Sequence, residues 1–286
     1  MPIRGISVFQ MTIARSFIVL LLFLLAPTHG AWADDPTPLE KIRNAGVLRV
    51  ALYNNFPPFS HNGQGIDVDI AEALATKLGV KMAPLWFDAD ENMEDDLRNM
   101  VWKGHYLGYG PADVLMHAPI DREYMTKIDK VRFIAPYHRE RYAVGRLLDK
   151  VPVCESFDQL GALAYAVEGD TLAASIMLSR DGGRFRETMK AYKTGSEAVA
   201  ALRAGSVALA IALQGELENG IGNDQRFAID LPPDPILMKR QWAIGLAVKA
   251  QSDDLADALQ TAMNELVADG SVKRIMQKYG VQHRQP

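Results

Sequence analysis

Two side chains in this sequence have an obvious capacity for acid and base chemistry, His117 and Asp170. Either group could transfer a proton if a pocket shifted its pKa toward neutrality. His117, however, is a single histidine beside an apolar run, where an imidazole more often packs than reacts. The spacings G-x-S-x-G, H-E-x-x-H and the phosphate-binding P-loop do not occur in the sequence. We therefore predict no catalytic residue, and an enzymatic role is the least favoured of three functional hypotheses.

Six acidic residues lie between Asp88 and Asp96, which raises the question of a metal site. The segment lacks the central glycine and the distal glutamate of a calcium loop, so we interpret it as the solvated, acidic start of a helix. Cys154 is the one cysteine of the sequence, which excludes an internal disulfide, a C-x-x-C-H haem site and metal centres built from cysteines. We predict no metal site and no cofactor.

The composition indicates a folded protein with an acidic balance. Of the 286 residues, 48% are hydrophobic and 23% are charged, which excludes a disordered chain and suits one large or two modest domains. The formal net charge is -4. Nucleic-acid binders usually carry a basic excess, so we predict no nucleic-acid partner.

The first 33 residues have the pattern of a signal peptide. Arg4 and Arg15 supply positive charge, residues 17–26 form an unbroken apolar run, and Ala31-Trp32-Ala33 is a cleavage site of the A-x-A type. A membrane-spanning helix needs about 20 apolar residues, roughly twice the length of this run. The segment 1–33 therefore predicts export to the periplasm, with no integral membrane segment in the mature chain.

After this segment, apolar runs of strand length alternate with helical patterns, as in an open α/β sheet. Strands are predicted at residues 47–52, 81–87, 163–167 and 207–212, and helices at residues 67–75 and 171–178. Two extended stretches, residues 139–145 and 242–248, are predicted to cross between two lobes. Lobe 1 would then be discontinuous, with residues 34–140 and 245–286, and lobe 2 would contain residues 141–244. Two crossings permit hinge closure over a ligand.

Short motifs are distributed along almost all of the mature chain, namely Leu48-Arg49-Val50, Pro57-Pro58-Phe59, residues 65–71, Leu78-Gly79-Val80, residues 133–137, residues 165–171, and residues 266–270 with Tyr279-Gly280. Together they resemble the family 3 periplasmic solute-binding proteins, best known for amino-acid uptake. The resemblance implies the type II periplasmic binding protein fold. In that fold two open α/β sheets are joined by a two-strand hinge, and the ligand cleft lies between strand ends and helix starts.

The sequence departs from this family at both residues that grip an amino acid. Where amino-acid binders usually have an arginine for the substrate carboxylate, this chain has Tyr124, and the alternative is that Arg122, two positions earlier, substitutes for it. Where they usually have an aspartate for the substrate ammonium group, it has Leu213 and Gln214. A site built on ion pairs is strongly weakened when a charged partner is lost. These departures predict that the chain does not bind free amino acids.

A third departure is an insertion between Gly104 and Asp113, in which aromatic residues follow closely on Trp102. Rigid rings suit protein contacts because they bury much surface at a small cost in entropy, although they could also fold inward and plug the cleft. The segment Gly-His-Tyr-Leu-Gly-Tyr-Gly-Pro-Ala-Asp-Val resembles the MoxJ and XoxJ group, the accessory proteins of methanol dehydrogenase systems that use pyrroloquinoline quinone (PQQ).

This second resemblance implies a non-catalytic periplasmic partner of a PQQ-dependent methanol or alcohol dehydrogenase, which it would assist in maturation or activation. PQQ and the calcium or lanthanide ion would belong to the dehydrogenase. The c-type cytochrome of such a system is a further candidate partner. The residues predicted to bind the partner are Trp102, His105, Tyr106 and Tyr109.

The alternative is a solute receptor of an ABC importer for a ligand that is not an amino acid. Its pocket would combine aromatic walls with polar groups that orient the ligand. The residues predicted to line this cleft are Tyr53, Phe59, His117, Tyr124, Gly169, Asp170, Thr171 and Gln214. The backbone amide at the predicted helix start, Thr171, could also bind an anion.

Overall fold

The computed structural model describes residues 35–286, and the predicted signal peptide lies outside them. Thr37 to Pro286 form one compact unit. No helix between residues 35 and 286 is both long and apolar enough to cross a membrane. The strands are β1 (Val47–Tyr53), β2 (Asn55–Phe56), β3 (Ser60–His61), β4 (Lys81–Phe87), β5 (Val114–Ile120), β6 (Val131–Leu147), β7 (Tyr165–Glu168), β8 (Met189–Tyr192), β9 (Leu209–Leu213), β10 (Phe227–Asp230) and β11 (Gln241–Lys249).

Helices cover the sheet and connect its strands. They are α1 (Pro38–Ala45), α2 (Ile66–Leu78), α3 (Met93–Leu97), α4 (Arg122–Met125), α5 (Leu172–Ser179), α6 (Gly195–Arg203), α7 (Gln214–Ile221), α8 (Pro235–Lys239), α9 (Asp253–Ala268) and α10 (Ser271–Lys278). A π-helical turn (Arg98–Trp102) follows α3, and short 3-10 turns occur at Phe157–Leu160 and Arg180–Gly183. The alternation of strands and helices predicted from the sequence is thus confirmed.

The sheet contains parallel strands toward its two ends and antiparallel strands in its middle. Its order is β4-β1-β5-β11-β6-β9-β7-β8, and β10 also pairs with β6. The pairs β1–β4, β1–β5, β7–β8 and β7–β9 are parallel, whereas β11–β5, β11–β6 and β6–β9 are antiparallel. Strand β5 runs in the same direction as β6, whereas β9 and its parallel neighbour β7 run in the opposite direction. Residues after β1 and β5 can therefore meet residues after β7 and β8 where these carboxyl ends face one another.

Strand β6 belongs to both halves of the molecule. Its 17 residues pair with β11 between Val131 and Arg141 and with β9 between Tyr142 and Arg146. At about 3.3 Å per residue, a strand of this length is long enough to run through two sheets. The sequence predicted two open sheets joined by a hinge, and the structure shows that they share this strand in one continuous ladder.

Apolar side chains collect in separate clusters on the two sides of this shared strand. The clusters of lobe 1 include Leu48, Ile70 and Leu259, and those of lobe 2 include Phe157, Leu202 and further residues up to position 237. The second crossing lies between α8, whose Leu237 packs in lobe 2, and β11, which pairs with strands of lobe 1. The boundaries predicted at residues 140 and 245 stay a prediction.

The C-terminal segment after α10 forms a third link between the lobes. The Asn219 amide of α7 donates to the Tyr279 carbonyl at 2.8 Å, and the Gln282 backbone N–H donates to Glu218 at 2.8 Å. Arg284 reaches the Glu218 carboxylate at 2.7 Å and the buried Glu140 carboxylate at 3.6 Å. The end of the chain therefore ties lobe 2 to lobe 1 beside strand β6.

Candidate functional site

A cleft with a volume of about 560 Å³ lies between the two lobes. From lobe 1 it is lined by Tyr53, Asn55, Phe56, Asp88, Ala89, Met93, Asp96, His117 and Pro119, from lobe 2 by Glu168, Asp170, Thr171, Lys193, Thr194 and Leu213, and at the crossing by Trp242. Most of these residues lie at or just beyond the ends of strands. The volume falls within the usual range of ligand pockets.

The lobe 1 wall of the cleft rests on a buried group of polar side chains. The Asp67 carboxylate, in the first turn of α2, accepts a hydrogen bond from the Tyr137 hydroxyl at 2.5 Å and lies 3.0 Å from His117 Nδ1. The rings of Phe56 and Phe59 pack against the imidazole, with centroids 4.7 and 4.3 Å away. These contacts hold His117, which is 8% exposed, in one orientation at the cleft wall.

Asp96, the last residue of the acidic segment, lies on α3 and lines the cleft. Its carboxylate accepts hydrogen bonds from the Tyr53 hydroxyl and from the Asp90 backbone N–H, both at 2.8 Å. Burial raises the pKa of Asp96 to about 6, although these hydrogen bonds oppose the rise. The sequence predicted a solvated acidic run, and this is wrong for Asp96, because α3 turns its Asp96 and Leu97 side toward the interior.

Lobe 2 contributes two carboxylates, Glu168 at the end of β7 and Asp170 in the turn before α5. Burial raises the pKa of Glu168 to about 7, and a hydrogen bond from the Gly195 backbone only partly opposes it. Asp170 is exposed and adopts a left-handed backbone conformation with φ of 56°. Thr171 caps α5, where its hydroxyl accepts from the Ala174 N–H at 3.2 Å and donates to the Glu168 carbonyl at 2.8 Å.

Four of the eight residues predicted for the cleft do line it, namely Tyr53, His117, Asp170 and Thr171. Phe59 does not, because it is fully buried behind His117. The Gly169 backbone N–H donates to the Tyr192 carbonyl at 2.9 Å and lies outside the lining. The Gln214 side chain bonds to Arg141 and to Glu218 instead of facing the cleft.

Tyr124 lies in a neighbouring pocket of about 330 Å³ rather than in the cleft. This pocket is separated from the cleft by side chains that line both, Met93, Pro119 and Trp242. The Tyr124 hydroxyl is buried and makes no hydrogen bond to the described residues. Burial raises its pKa to about 12, so the phenol stays protonated and can only replace an arginine as a neutral donor.

Sequence reasoning missed several lining residues, including Phe56, Glu168, Lys193, Thr194 and Trp242. Lys193 and Thr194 come directly after β8, a strand that was not predicted because its Met-Lys-Ala-Tyr sequence is short and half polar. Glu168 lies directly after the strand predicted at residues 163–167 and was not among the predicted cleft residues. The position of these residues could have identified them, since polar residues at the ends of parallel strands lie at the ligand-binding edge of an α/β sheet.

The charges of the cleft are unbalanced. Four carboxylates line it, and within residues 35–286 the lining contains one lysine, Lys193, and no arginine. A guanidinium that could hold a substrate carboxylate is therefore not part of this lining. Nowhere in that range do three His, Cys, Asp or Glu side chains come close enough together to hold a metal ion.

The aromatic insertion forms an ordered loop outside the cleft. The His105 ring stacks on Tyr109 with centroids 4.4 Å apart, and Tyr109 contacts Phe87 at 5.2 Å. Backbone hydrogen bonds of 2.9 Å join His105 to Tyr109 and to Gly108. Tyr106 is 86% exposed and Leu107 67% exposed at the tip. The inward-folded alternative is wrong for this loop, because none of its rings lines the cleft.

Trp102 differs from the other three residues predicted to bind a partner. It ends the π-helical turn, is only partly exposed, and packs against the cluster that contains Phe87 and Leu97. It also borders a separate surface pocket with Arg98 and Lys127. The exposed side chains of the insertion are Tyr106, Leu107 and Tyr109, and together with the half-buried His105 we call them the aromatic loop.

No protein-family model matches the sequence. Among curated proteins, a cyclohexadienyl dehydratase of Pseudomonas aeruginosa is 29% identical over 98 residues, which are 32% of this chain and 37% of that protein. A membrane-bound lytic murein transglycosylase F of Photobacterium profundum is 38% identical over 72 residues, which are 24% of this chain and 14% of that protein. The chain thus spans well under half the length of these curated relatives.

Solved structures match over most of the chain. An ancestral cationic amino acid solute-binding protein superposes with a TM-score of 0.65 at 20% identity, covering 85% of this chain and 100% of that one. The fold is that of the type II periplasmic binding proteins. An amino acid ABC transporter substrate-binding protein from Streptococcus pneumoniae, bound to L-arginine, shares this type II fold with a TM-score of 0.63 at 20% identity, covering 86% and 98% of the two chains. At such identities the likeness establishes the fold alone.

Proposed function

We propose that this protein is a non-catalytic periplasmic accessory protein of a PQQ-dependent methanol or alcohol dehydrogenase, and that it binds the dehydrogenase through the aromatic loop. The observation that carries this proposal is the loop itself. Its backbone hydrogen bonds and its stacked His105 and Tyr109 rings fix the conformation, so little entropy is lost on binding. Its tip presents Tyr106 and Leu107 to solvent, and exposed aromatic residues of this kind are typical binding hot spots.

Two further observations support a role other than amino-acid uptake. The inserted segment carries the sequence that resembles the MoxJ and XoxJ group, and it lies outside the cleft. In addition, no arginine lines the cleft within the described residues, so the grip on an α-carboxylate that amino-acid binders use is missing from the lining.

Binding to the dehydrogenase tests the proposal directly. The purified protein is immobilised, and its affinity for the PQQ methanol dehydrogenase from the same periplasm is measured at low salt. The double variant Tyr106→Ala, Leu107→Ala should bind at least about tenfold more weakly, because the substitutions remove both side chains of a binding hot spot. Ile236→Ala is the matched control, since Ile236 is an exposed apolar residue of lobe 2 with 60% exposure.

The proposal fails if no quinoprotein dehydrogenase binds at low salt, or if the double variant binds as tightly as the Ile236→Ala control. A c-type cytochrome that binds in place of the dehydrogenase would also contradict the stated partner. Equal folding of the variants is checked by their thermal unfolding.

A second candidate function is that of a periplasmic solute receptor of an ABC importer for a ligand that is not an amino acid. The observation that favours it is the cleft, which has ligand-pocket size and is lined from both lobes. A thermal-shift screen tests it, since a ligand at about 100 times its dissociation constant stabilises the folded protein by about 2.7 kcal/mol. A screen without any stabilising solute would contradict this candidate.

A further inference from the structure

Four carboxylates line the cleft, two from each lobe. Asp88 and Asp96 line the lobe 1 side, and Glu168 and Asp170 line the lobe 2 side. Among the described residues, none of these four carboxylates forms an ion pair with a lysine, an arginine or a histidine. Their hydrogen-bond donors are neutral, such as the Tyr53 hydroxyl for Asp96 and the Asn54 amide for Asp88.

Among the described residues, Lys193 is the one basic side chain besides His117 in the lining, so the carboxylates outnumber the lysine by four to one. An anionic solute would meet net repulsion in this cleft, whereas a cation would gain partners that the protein itself does not supply. The exposed Asp170 stands directly before the capping residue of α5, where its negative charge also opposes an anion at that helix start.

The cation must be organic rather than a metal ion. A metal ion needs several oxygen ligands around one point, and no three acidic, histidine or cysteine side chains of residues 35–286 converge in this way. The walls between the acidic pairs are apolar and aromatic instead, with Tyr53, Phe56 and Trp242. Aromatic faces attract organic cations and also bury the carbon chain of such a ligand.

We infer that the cleft binds a small organic dication, with an ammonium or guanidinium group at each end and no carboxylate. One cationic end contacts Asp88 and Asp96, the other contacts Glu168 and Asp170, and the apolar middle of the ligand lies against the aromatic walls. A ligand of this kind links an acidic pair of lobe 1 to an acidic pair of lobe 2. The inference rests on the solute-receptor candidate and is independent of the aromatic loop.

Isothermal titration calorimetry of the purified protein tests the inference. The probes are putrescine and agmatine as dications, L-arginine as a cation that also carries a carboxylate, and succinate as a dianion. We expect saturable binding of putrescine or agmatine with a stoichiometry near one, weaker binding of L-arginine, and no binding of succinate.

Two variants and one control assign this binding to the carboxylates. Glu168→Gln and Asp170→Asn keep the shape of each side chain and remove its charge, and each should weaken dication binding by at least about tenfold. Asp129→Asn is the control, because Asp129 lies outside the cleft with its side chain 82% exposed, and it should leave the affinity within about twofold. Because Asp170 lies in an exposed turn, Asp170→Asn should fold normally and can be measured even if Glu168→Gln folds poorly.

The possible failures can be told apart. If L-arginine or succinate binds and the dications do not, the cleft is a solute site but the inferred ligand class is wrong. If the dications bind equally well to the wild-type protein and to both carboxylate variants, the inference is also wrong. If no probe binds, the inference is overturned, and the solute-receptor candidate then depends on the wider screen. The dehydrogenase-binding experiment is unaffected by any of these results.

Discussion

Tyr137 and Tyr165 are both fully buried, but their hydroxyl groups meet different acceptors. The Tyr137 hydroxyl donates to the Asp67 carboxylate at 2.5 Å, whereas the Tyr165 hydroxyl donates to the Phe185 backbone carbonyl at 3.2 Å. Leaving a buried carboxylate without one of its hydrogen-bond donors costs more free energy than leaving a backbone carbonyl without its donor. We expect Tyr137→Phe to lower the free energy of unfolding by about 2 kcal/mol and Tyr165→Phe by about 1 kcal/mol. Urea unfolding measures both, and equal losses would contradict the expectation.

Glu168 makes the stability of the protein depend on pH. Burial raises its pKa in the folded protein from 4.5 to about 7, so the folded state holds its proton at pH values where the unfolded chain has released it. The resulting stabilisation is complete at low pH and is lost as the pH rises through this interval. Glu140 and Glu216 contribute in the same direction, because burial raises their pKa values as well.

Removing the titrating group should flatten this dependence. Between about pH 5 and about pH 8, the free energy of unfolding of Glu168→Gln should fall less than that of the wild-type protein. Glu187→Gln, a change at an exposed glutamate, is the matched control and should follow the wild type. Urea unfolding across this pH range checks the prediction, which is wrong if the two variants have parallel profiles.

At the level of single residues, four of the eight residues predicted for the cleft are among the 16 that line it. Tyr53, Asp170 and Thr171 could be predicted because they lie at the ends of predicted strands or at the start of a predicted helix, whereas His117 lies within β5, which was not predicted. Phe59 and Gln214 could not be placed correctly, since only the packed structure shows that one lies behind an imidazole and that the other bonds to Arg141. Burial of Asp96 depends on how a short helix is rotated, which its acidic sequence does not reveal.

Among the elements, the start of α2 depends on the backbone of Gly65. Its φ is 140°, and a Cβ there would lie 2.1 Å from the Phe59 carbonyl oxygen. Gly63 also has a positive φ, 77°, but a Cβ at Gly63 would meet no atom within 4 Å. The pair therefore separates the cost of the backbone conformation from the cost of a steric clash.

We expect Gly63→Ala to cost about 1–2 kcal/mol, because an L-residue is disfavoured in this conformation. Gly65→Ala should cost about 1–3 kcal/mol more, since the added methyl group displaces the Phe59 backbone and with it the helix turn that carries Asp67. Thermal and urea unfolding of the two variants provide the measurement. Similar stabilities of Gly63→Ala and Gly65→Ala would contradict the expectation that the clash at position 65 adds to the cost.

Six of the elements followed from the sequence, whereas β5 and the 16-residue helix α9 were not predicted. Strand β4 coincides with the predicted residues 81–87, and α2 contains the predicted residues 67–75. Helix α2 could be predicted because its apolar residues have helical periodicity and Gly79 ends it. Elements with weak patterns were missed or assigned too few residues. The two-residue strands β2 and β3 are too short to show periodicity. Strand β6 was not predicted as one strand, because its 17 residues pass from one lobe into the other and its apolar pattern changes along the way.

At the scale of the whole molecule, Arg284 holds the C-terminal segment against both lobes. It pairs with Glu218 of α7 at 2.7 Å and approaches Glu140, which is fully buried, at 3.6 Å. In Arg284→Ala the ion pair with Glu218 is lost, and Glu140, whose pKa burial raises to about 7, can take up a proton when its cation is removed. We therefore expect a loss of about 1–2 kcal/mol in the free energy of unfolding at pH 7. Arg274→Ala is the control, because Arg274 is 66% exposed and its ion pair contributes little.

The same variant should also change the distribution of lobe arrangements. With the third link weakened, we expect the radius of gyration from small-angle X-ray scattering to be larger for Arg284→Ala than for the wild type, and unchanged for Arg274→Ala. An unchanged value in Arg284→Ala would mean that the two crossings alone set the lobe arrangement.

Because β6 is common to both halves, neither half can be excised cleanly. A fragment that contains only residues 141–244 would keep the last seven residues of this strand and lose the residues that continue it toward β11. Its truncated border would expose unsatisfied backbone donors and acceptors, which are a ready template for intermolecular aggregation. Expression of isolated halves should therefore give insoluble material, whereas the intact chain protects this border by burying it in the middle of its own ladder.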